Sequence, residues 1–314
     1  MTFSFSLRRF VFILMCLAVV ALLSGCDILS GTNDSPLLST TVEPSLTPIP
    51  PSHTPTPFIP LATATHIPPT QQPTEKTCAA GQIISDSLVS SALPKPLKFM
   101  IYLPPCYNAN PQNEYPVLYL LHGQNGDQNQ WANFGLLEKM DSLIATAAIP
   151  PFIVVMPGED AKYTDEFWTT GFDLALIDDL LPYIDEHFYT CTEARCRAIG
   201  GLSRGASWAV RLGLEHWDLF GAIGGHSLPW NAAEGSKFAR WIAETPNGSL
   251  PRIYLDIGMR DGYIAYANQF LDFAMSHDLP FEWHFNPGGH DNEYWTAQLE
   301  TYLRWYAAAW QDLN

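Results

Sequence analysis

The chain has 314 residues, 47% of them hydrophobic and 13% aromatic, which is enough apolar side chain to bury a large core. This composition excludes a chain that is disordered throughout. Sixteen Lys and Arg stand against 32 Asp and Glu, for a formal net charge of −16. Binding of nucleic-acid phosphates needs a basic face, so the negative net charge argues against a nucleic-acid partner. The acidic composition does not by itself identify a substrate.

The N-terminus has the pattern of an export signal. Two arginines precede an apolar run over residues 10–23, and Ser24-Gly25-Cys26 follows. The run fits a secretory signal better than a membrane span, which needs about 20 apolar residues. Its end resembles a bacterial lipobox, which implies a lipoprotein signal peptide over residues 1–25 and lipidation of Cys26. The alternatives are an ordinary signal cleaved near Gly25 and an uncleaved anchor.

Residues 26–77 form a predicted Pro/Thr-rich disordered tether. Eleven of the chain's 26 prolines lie between Ser35 and Lys76, among many threonines. Such a stretch buries too little apolar surface to fold and is expected to be extended. The pattern therefore predicts an extracytoplasmic domain, residues 78–314, held by a lipid anchor at the bacterial cell membrane.

Four cysteines remain after the predicted processing. Cys78 and Cys106 flank a predicted hairpin with strands Gln82–Ser90 and Lys98–Leu103, which would bring the two thiols opposite each other. Cys191 and Cys196 could close a small loop. Disulfides are permitted outside the cytoplasm, so we predict the pairs Cys78–Cys106 and Cys191–Cys196, although four cysteines allow three pairings.

From residue 78 onward, short apolar runs alternate with helical patterns. This alternation predicts an α/β fold, with a mostly parallel sheet, helices on both faces and the antiparallel hairpin at one edge. In such sheets, sites form at the carboxyl ends of the strands. The predicted strands are Val117–Leu121, Phe152–Met156, Arg197–Gly201, Ala222–Gly225, Ile253–Ile257 and Phe281–Phe285, and the predicted helices are Gly135–Ala147, Leu174–His187, Ala206–His216, Ser236–Glu244, Ile264–Ser276 and Glu293–Trp310.

A GxSxG sequence, Gly201-Leu202-Ser203-Arg204-Gly205, joins a predicted strand to a predicted helix. This is the context of a nucleophile elbow, in which a tight turn lifts the serine clear of the sheet. The alternative is a serine that only caps the helix. A serine hydroxyl is a weak nucleophile and needs a base, so the elbow predicts a histidine partner for Ser203.

His290 and Asp261 complete a predicted catalytic triad. His290 follows the last strand, and Asp261 follows the strand Ile253–Ile257, which gives the chain order of α/β-hydrolase triads. His290 would take the Ser203 proton and Asp261 would orient the imidazole. Asp261 could also cap the next helix. Asp256 and Asp291 are the alternative acids.

The tetrahedral intermediate needs preorganised donors. We predict the backbone N–H groups of Arg204, next to the nucleophile, and of Gln124. The latter lies in the sequence His122-Gly123-Gln124, which resembles an HG-x oxyanion loop. His122 itself is expected to hold this loop through backbone hydrogen bonds.

The motifs together resemble the Putative esterase family of α/β-hydrolases. This group includes enterochelin-esterase-like proteins, feruloyl and acetylxylan esterases, S-formylglutathione hydrolase and mycolyltransferases. The resemblance implies an α/β-hydrolase acting on carboxylic esters. Many relatives carry an uncharged residue at the position of Arg204, which could pair with an acidic substrate or form a local salt bridge. The matching segments run over residues 119–123, 149–157, 180–185, 201–205 and 287–290.

The substrate is less constrained than the chemistry. Loop tryptophans and His226 are candidates for substrate contacts, and burial in the core is the alternative for each. We expect no metal and no cofactor, because the histidines are scattered and no phosphate loop or dinucleotide fingerprint is present. The candidates are Trp131, Trp168, His226, Trp230 and Trp295.

These features favour an exported, membrane-tethered serine esterase acting on small-molecule or polysaccharide esters, with acyl or feruloyl esters on carbohydrate as the first expectation. One alternative is an acyltransferase or a siderophore esterase, which the same triad would serve. Another is a surface-bound carbohydrate-binding protein without catalysis, which would have no need of a complete triad. Peptidase activity is also compatible with the fold. The sequence leaves the oligomeric state open.

Overall fold

The computed structural model describes residues 80–160 and 171–311. Within these ranges, eight strands form one sheet in the order β1-β2-β4-β3-β5-β6-β7-β8. The strands are β1 (Gln82–Leu88), β2 (Leu97–Leu103), β3 (Val117–Leu121), β4 (Ile153–Pro157), β5 (Arg197–Leu202), β6 (Ala222–His226), β7 (Arg252–Gly258) and β8 (Glu282–Asn286).

The sheet is parallel from β4 to β8, and β1 and β2 form an antiparallel hairpin at one edge. The hairpin joins the rest of the sheet through β2, which runs antiparallel to β4. The predicted α/β-hydrolase fold with an edge hairpin is therefore confirmed. Every predicted strand is present, with ends that shift by no more than two residues.

The helices differ from prediction mainly at Leu174–His187, which is not one regular α-helix. Its central turns are π-helical over Ala175–Leu180. Pro182, two residues after Leu180, has no N–H to give to the preceding turn, so the regular hydrogen-bond pattern is interrupted there. The α-helices are α1 (Gln130–Asn133), α2 (Leu136–Ala145), α3 (Phe172–Leu174), α4 (Leu181–His187), α5 (Arg204–Glu215), α6 (Gly235–Glu244), α7 (Ile264–Ser276) and α8 (Asn292–Ala308).

Two hydrophobic cores lie on opposite faces of the sheet. Successive residues of a strand point to opposite faces, so β3 contributes Val117, Tyr119 and Leu121 to one core and Leu118 and Leu120 to the other. The first core lies under α3 to α7 and the second under α2 and α8. The central strands are thus buried on both sides, which explains why they are continuous apolar runs in the sequence.

The Cys191–Cys196 disulfide is present, as predicted. Cys106 is also in a disulfide. The predictions for residues 1–77, including the lipidation of Cys26, and those for Cys78 and Trp168 lie outside the described residues. Among the described helices, none combines the length and the apolar character that crossing a membrane requires.

Candidate active site

Ser203 lies at a sharp turn between β5 and α5. Its backbone has φ 51° and ψ −118°, a conformation that L-residues rarely adopt. Two glycines make room for this turn: a Cβ on Gly201 would lie 2.6 Å from the carbonyl carbon of Gly205, and a Cβ on Gly205 would lie 2.6 Å from the backbone oxygen of His122. The predicted strand–turn–helix around Ser203 is confirmed.

The structure brings Ser203, His290 and Asp261 into one hydrogen-bonded relay. Nε2 of His290 lies 2.9 Å from Oγ of Ser203, and Nδ1 of His290 lies 2.9 Å from Oδ2 of Asp261. A neutral imidazole with its proton on Nδ1 can donate to Asp261 and accept from the Ser203 hydroxyl at once. This arrangement is the one that a general base for Ser203 requires.

Asp261 is buried yet held as a carboxylate. Burial raises its pKa, but hydrogen bonds from His290, the backbone N–H of Tyr263 and the Ser227 hydroxyl outweigh that effect, so the pKa of Asp261 lies below its ordinary value. The bond from the Tyr263 N–H, at 2.8 Å, ties the carboxylate to the turn that precedes α7. Asp261 therefore contacts His290 and fixes the turn before α7, but it does not cap that helix as the sequence suggested, because Tyr263 is the N-cap residue and no side chain caps the helix.

The two alternative acids are engaged elsewhere. Asp256 lies inside β7, where Oδ1 is 2.7 Å from Nδ1 of His226 and Oδ2 accepts from the hydroxyls of Tyr294 and Tyr302. Asp291 caps α8, accepting from the Tyr294 N–H at 2.9 Å. Asp261 is thus the carboxylate that His290 contacts.

His226 belongs to the same buried network as Asp256. Its side chain is fully enclosed, its Nε2 lies 3.1 Å from the Tyr306 hydroxyl, and its ring stacks on Tyr302 at 3.6 Å between centroids. The backbone oxygen of His226 also accepts the Ser203 N–H at 2.8 Å. Of its two predicted roles, the structural one holds, because a fully enclosed side chain cannot line a pocket open to substrate.

The loop after β3 lies against the nucleophile. A Cβ on Gly123 would be 3.7 Å from Cβ of Ser203, so the loop approaches the nucleophile at the residue before Gln124. The Gly123 N–H donates to Oε1 of Gln130 at 2.8 Å, which fixes the path of the loop. These contacts bring the loop that carries Gln124 to the nucleophile, and the oxyanion role of the Gln124 N–H stays a prediction.

His122 holds this loop, as predicted. Its Nε2 accepts the N–H of Glu159 at 2.7 Å, so the proton must be on Nδ1, which lies 2.6 Å from the Gly123 oxygen. Burial lowers the pKa of His122, which favours this neutral form. The side chain thereby links the loop after β3 to the loop after β4.

Arg204 forms a buried local ion pair, the second of its two predicted roles. Its guanidinium donates to both oxygens of Glu159 at 2.6 Å, and the two side chains are only 4% and 5% exposed. The Trp208 indole N–H donates to the same carboxylate at 3.1 Å. Arg204 begins α5, so its backbone N–H belongs to the first helical turn, beside Ser203.

Two of the predicted rim tryptophans lie in the core instead. Trp131, in α1, is 1% exposed and donates its indole N–H to the Leu121 oxygen at 3.0 Å. Trp230 is 6% exposed and lies within 6.2 Å of Phe238 and 5.5 Å of Phe270, between ring centroids. Their large apolar rings are buried against other aromatic side chains, so the prediction that they rim a pocket was wrong.

Trp295 is buried and contacts His290, a member of the relay, from the interior of the domain. Its ring lies 5.0 Å from that of His290, edge to face, and its indole N–H donates to Oγ of Ser227 at 3.2 Å. Since Ser227 also bonds Asp261, this buried tryptophan supports both the base and the acid. Trp295 is therefore a support of the relay rather than a rim residue.

Sequence reasoning missed an exposed aromatic surface beside His290. Tyr263 is 39% exposed, and its ring centroid is 4.6 Å from that of His290. Tyr266 and Met259 are also exposed on the segment that follows β7. Their position, within five residues of Asp261 at the carboxyl end of a strand, is the signal that could have identified them.

Comparisons with known proteins place these features in context. The sequence model of the family described as "Putative esterase" matches residues 90–306. An endo-1,4-beta-xylanase/feruloyl esterase of Xylanibacter ruminicola is 38% identical over 135 residues, which are 40% of this chain and 18% of that protein. An esterase of Mycobacterium tuberculosis is 32% identical over 135 residues, which are 41% of this chain and 28% of that protein. Both alignments thus cover less than a third of the relative.

Solved structures show the same fold. A ferulic acid esterase is 24% identical, with a TM-score of 0.65, over 74% of this chain and 100% of the other. A ferulic acid esterase of the anaerobic fungus Anaeromyces mucronatus is 18% identical, with a TM-score of 0.63, over 78% and 95%. An S-formylglutathione hydrolase of Staphylococcus aureus is 16% identical, with a TM-score of 0.58, over 73% and 100%.

Proposed function

This chain belongs to the Putative esterase family, and on that basis we propose that it is a serine esterase that hydrolyses carboxylic esters through an acyl-enzyme. The observation that carries the proposal is the hydrogen-bonded relay of Ser203, His290 and Asp261. The relay supplies the base that a serine hydroxyl needs, on a turn that exposes the hydroxyl to substrate.

The geometry supports the following sequence of steps. Ser203 Oγ attacks the ester carbonyl while Nε2 of His290 takes its proton, and Asp261 stabilises the resulting imidazolium. The N–H groups of Arg204 and Gln124 stabilise the negative oxygen of the tetrahedral intermediate. His290 then protonates the leaving alcohol, which leaves the acyl group on Ser203. Water, activated by His290, releases the acid and restores the hydroxyl.

We assign the substrate class as acyl or feruloyl esters on carbohydrate. A relative whose name includes both xylanase and feruloyl esterase supports this assignment, together with the predicted export of the protein. An enzyme fixed outside a cell meets polymers rather than cytoplasmic metabolites.

The proposed organisation is a signal peptide over residues 1–25, a tether over residues 26–77 and the esterase domain over residues 78–314, anchored by lipid at Cys26. The family match over residues 90–306 falls inside the proposed domain. Growth of the expressing bacterium with an alkyne fatty acid should label the wild type and leave Cys26→Ser unlabelled. Equal labelling of both proteins would refute the anchor.

The activity is tested with Ser203→Ala on methyl ferulate, p-nitrophenyl acetate and acetylated xylan. Removing the nucleophile should lower kcat at least about a thousandfold on every ester that the wild type hydrolyses. Ser236→Ala, an exposed serine on α6, is the matched control and should behave as wild type. Unchanged hydrolysis by Ser203→Ala would refute the proposal.

A further inference from the structure

A cleft of about 310 Å³ opens between the loop after β3, α1 and the start of α8, and most of its side chains are amides or have hydrogen-bonding groups. Its lining includes Asn125, Asp127, Asn133, Phe134 and Asn292. We propose that this cleft binds an uncharged sugar, the alcohol portion of the ester that Ser203 cleaves. The inference rests on the proposed function and adds the specificity site for its leaving group.

Residues that line the cleft also contact the loop beside Ser203. Gln130 lines it and accepts the N–H of Gly123, whose added Cβ would be 3.7 Å from that of Ser203. On the other side, Asn292 follows His290 by two residues. One wall of the cleft is therefore next to the loop after β3, and the other belongs to the segment that carries His290.

The lining suits hydroxyl groups. Each carboxamide offers two N–H donors and a carbonyl acceptor, and a sugar hydroxyl both donates and accepts. Asn133 and Asn292 are both exposed to solvent. Asp127 is the one charged residue lining this cleft in the part of the chain described, and its carboxylate already accepts from Asn129. Among the described residues that line the cleft there is no cation to offset this negative charge, so a neutral ligand is favoured over an anionic one.

Phe134 gives the cleft one apolar wall. Its ring is half-buried and is held by Trp131 at 5.6 Å between centroids, in an edge-to-face contact. Sugars present C–H groups on the faces of their rings, and an aromatic ring packs well against such a face. Hydroxyl-binding amides beside one aromatic ring are the combination that a pyranose or furanose ring requires.

Within this proposal, the cleft takes the alcohol rather than the acid. His290 must protonate the oxygen of the departing alcohol, so that oxygen must face Nε2 of His290 during the reaction. Asn292 lies two residues after His290, so the cleft borders the segment that carries this base.

The test uses the full-length protein and two esters that share one acyl group, a feruloylated arabinoxylan oligosaccharide and methyl ferulate. For Asn133→Ala and for Asn292→Ala, the ratio of kcat/KM for the sugar ester to that for the methyl ester should fall about three- to tenfold, the value of one hydrogen bond. Asn247→Ala is the matched control, because this exposed asparagine lies before the amino end of β7, whereas Ser203, Asp261 and His290 all follow the carboxyl ends of strands. An unchanged ratio in both cleft variants would overturn the proposal.

A binding measurement separates this inference from the proposed activity. Titration of Ser203→Ala with xylotetraose, followed by NMR, should show saturable binding that weakens when Asn133→Ala and Asn292→Ala are added. Absence of saturable binding would refute the sugar site, even if the wild type hydrolyses methyl ferulate. Conversely, saturable binding with no hydrolysis of any ester by the wild type would refute the esterase and leave the sugar site standing.

Discussion

Replacing Glu159 by glutamine removes the negative charge from the buried ion pair beside the nucleophile. The carboxylate lies 2.6 Å from two nitrogens of Arg204, and both side chains are almost fully enclosed. Glutamine preserves the shape of the side chain and the backbone N–H that holds His122. The guanidinium of Arg204, however, would then lose the negative charge of the side chain to which it donates two hydrogen bonds.

The size of the effect follows from the burial. Breaking a buried ion pair from one side costs about 3–5 kcal/mol in the free energy of unfolding, because a charge remains in a poorly solvated place. For a domain of this size, 1 kcal/mol shifts Tm by about 2–4 °C, so Glu159→Gln should lower Tm by roughly 6–20 °C. In the double variant Glu159→Gln/Arg204→Met both charges are gone, and the cost should fall to about 1 kcal/mol.

Thermal and urea unfolding at neutral pH measure these differences. The matched control is Asp160→Asn, the neighbouring carboxylate, which pairs with Lys95 at the surface with both side chains at least 60% exposed. An exposed pair contributes about 0–1 kcal/mol, so this variant should unfold close to wild type. The reasoning is refuted if Glu159→Gln is no less stable than Asp160→Asn, or if the double variant is no more stable than Glu159→Gln.

Three further outcomes are expected. Asp261→Asn should lower kcat by about 10³–10⁴-fold, because the amide neither stabilises the imidazolium of His290 nor fixes its tautomer. Asp272→Asn, on the exposed face of α7, is the control and should leave kcat unchanged. Similar values of kcat for the two variants would contradict the relay. Gly205→Ala should destabilise the fold by about 1–3 kcal/mol, since its Cβ meets backbone at 2.6 Å, while Gly262→Ala, with nothing within 4 Å, should unfold as wild type does. Burial lowers the pKa of His122 below its ordinary value of 6.5. At pH values between the lowered pKa and 6.5, the unfolded chain therefore binds more protons than the folded protein. The free energy of unfolding should therefore fall as the pH drops through this range, and it should fall by less in His122→Gln than in the wild type. Equal shifts of the urea midpoint with pH in the two proteins would disprove this contribution of His122.

Much of the fold was predictable because the central strands are buried on both faces. Val117–Leu121 is apolar at every position, and its predicted bounds are those observed. The relay was predictable as well. The GxSxG turn depends on local glycines, and the sites of His290 and Asp261 follow from their places after β8 and β7.

What the sequence did not predict depends on contacts between distant residues. Arg204 and Glu159 are 45 residues apart, and the motif around Ser203 does not indicate which carboxylate faces the guanidinium. Trp131 and Trp230 look like rim residues because they follow strand ends, and only packing shows that their rings point inward. A periodic apolar pattern also predicts a helix over Ala175–Leu180 without revealing its π-helical hydrogen bonding.

The central claim, that Ser203 is the nucleophile of an ester-cleaving relay, is tested most directly by trapping the acyl-enzyme. The protein would be quenched with acid during turnover of p-nitrophenyl acetate, digested and mapped by mass spectrometry. The account predicts an acetyl group on Ser203 that is absent from Ser203→Ala. Hydrolysis by Ser203→Ala at the wild-type rate, or a wild-type protein that carries the acetyl group on another residue and none on Ser203, would contradict this claim.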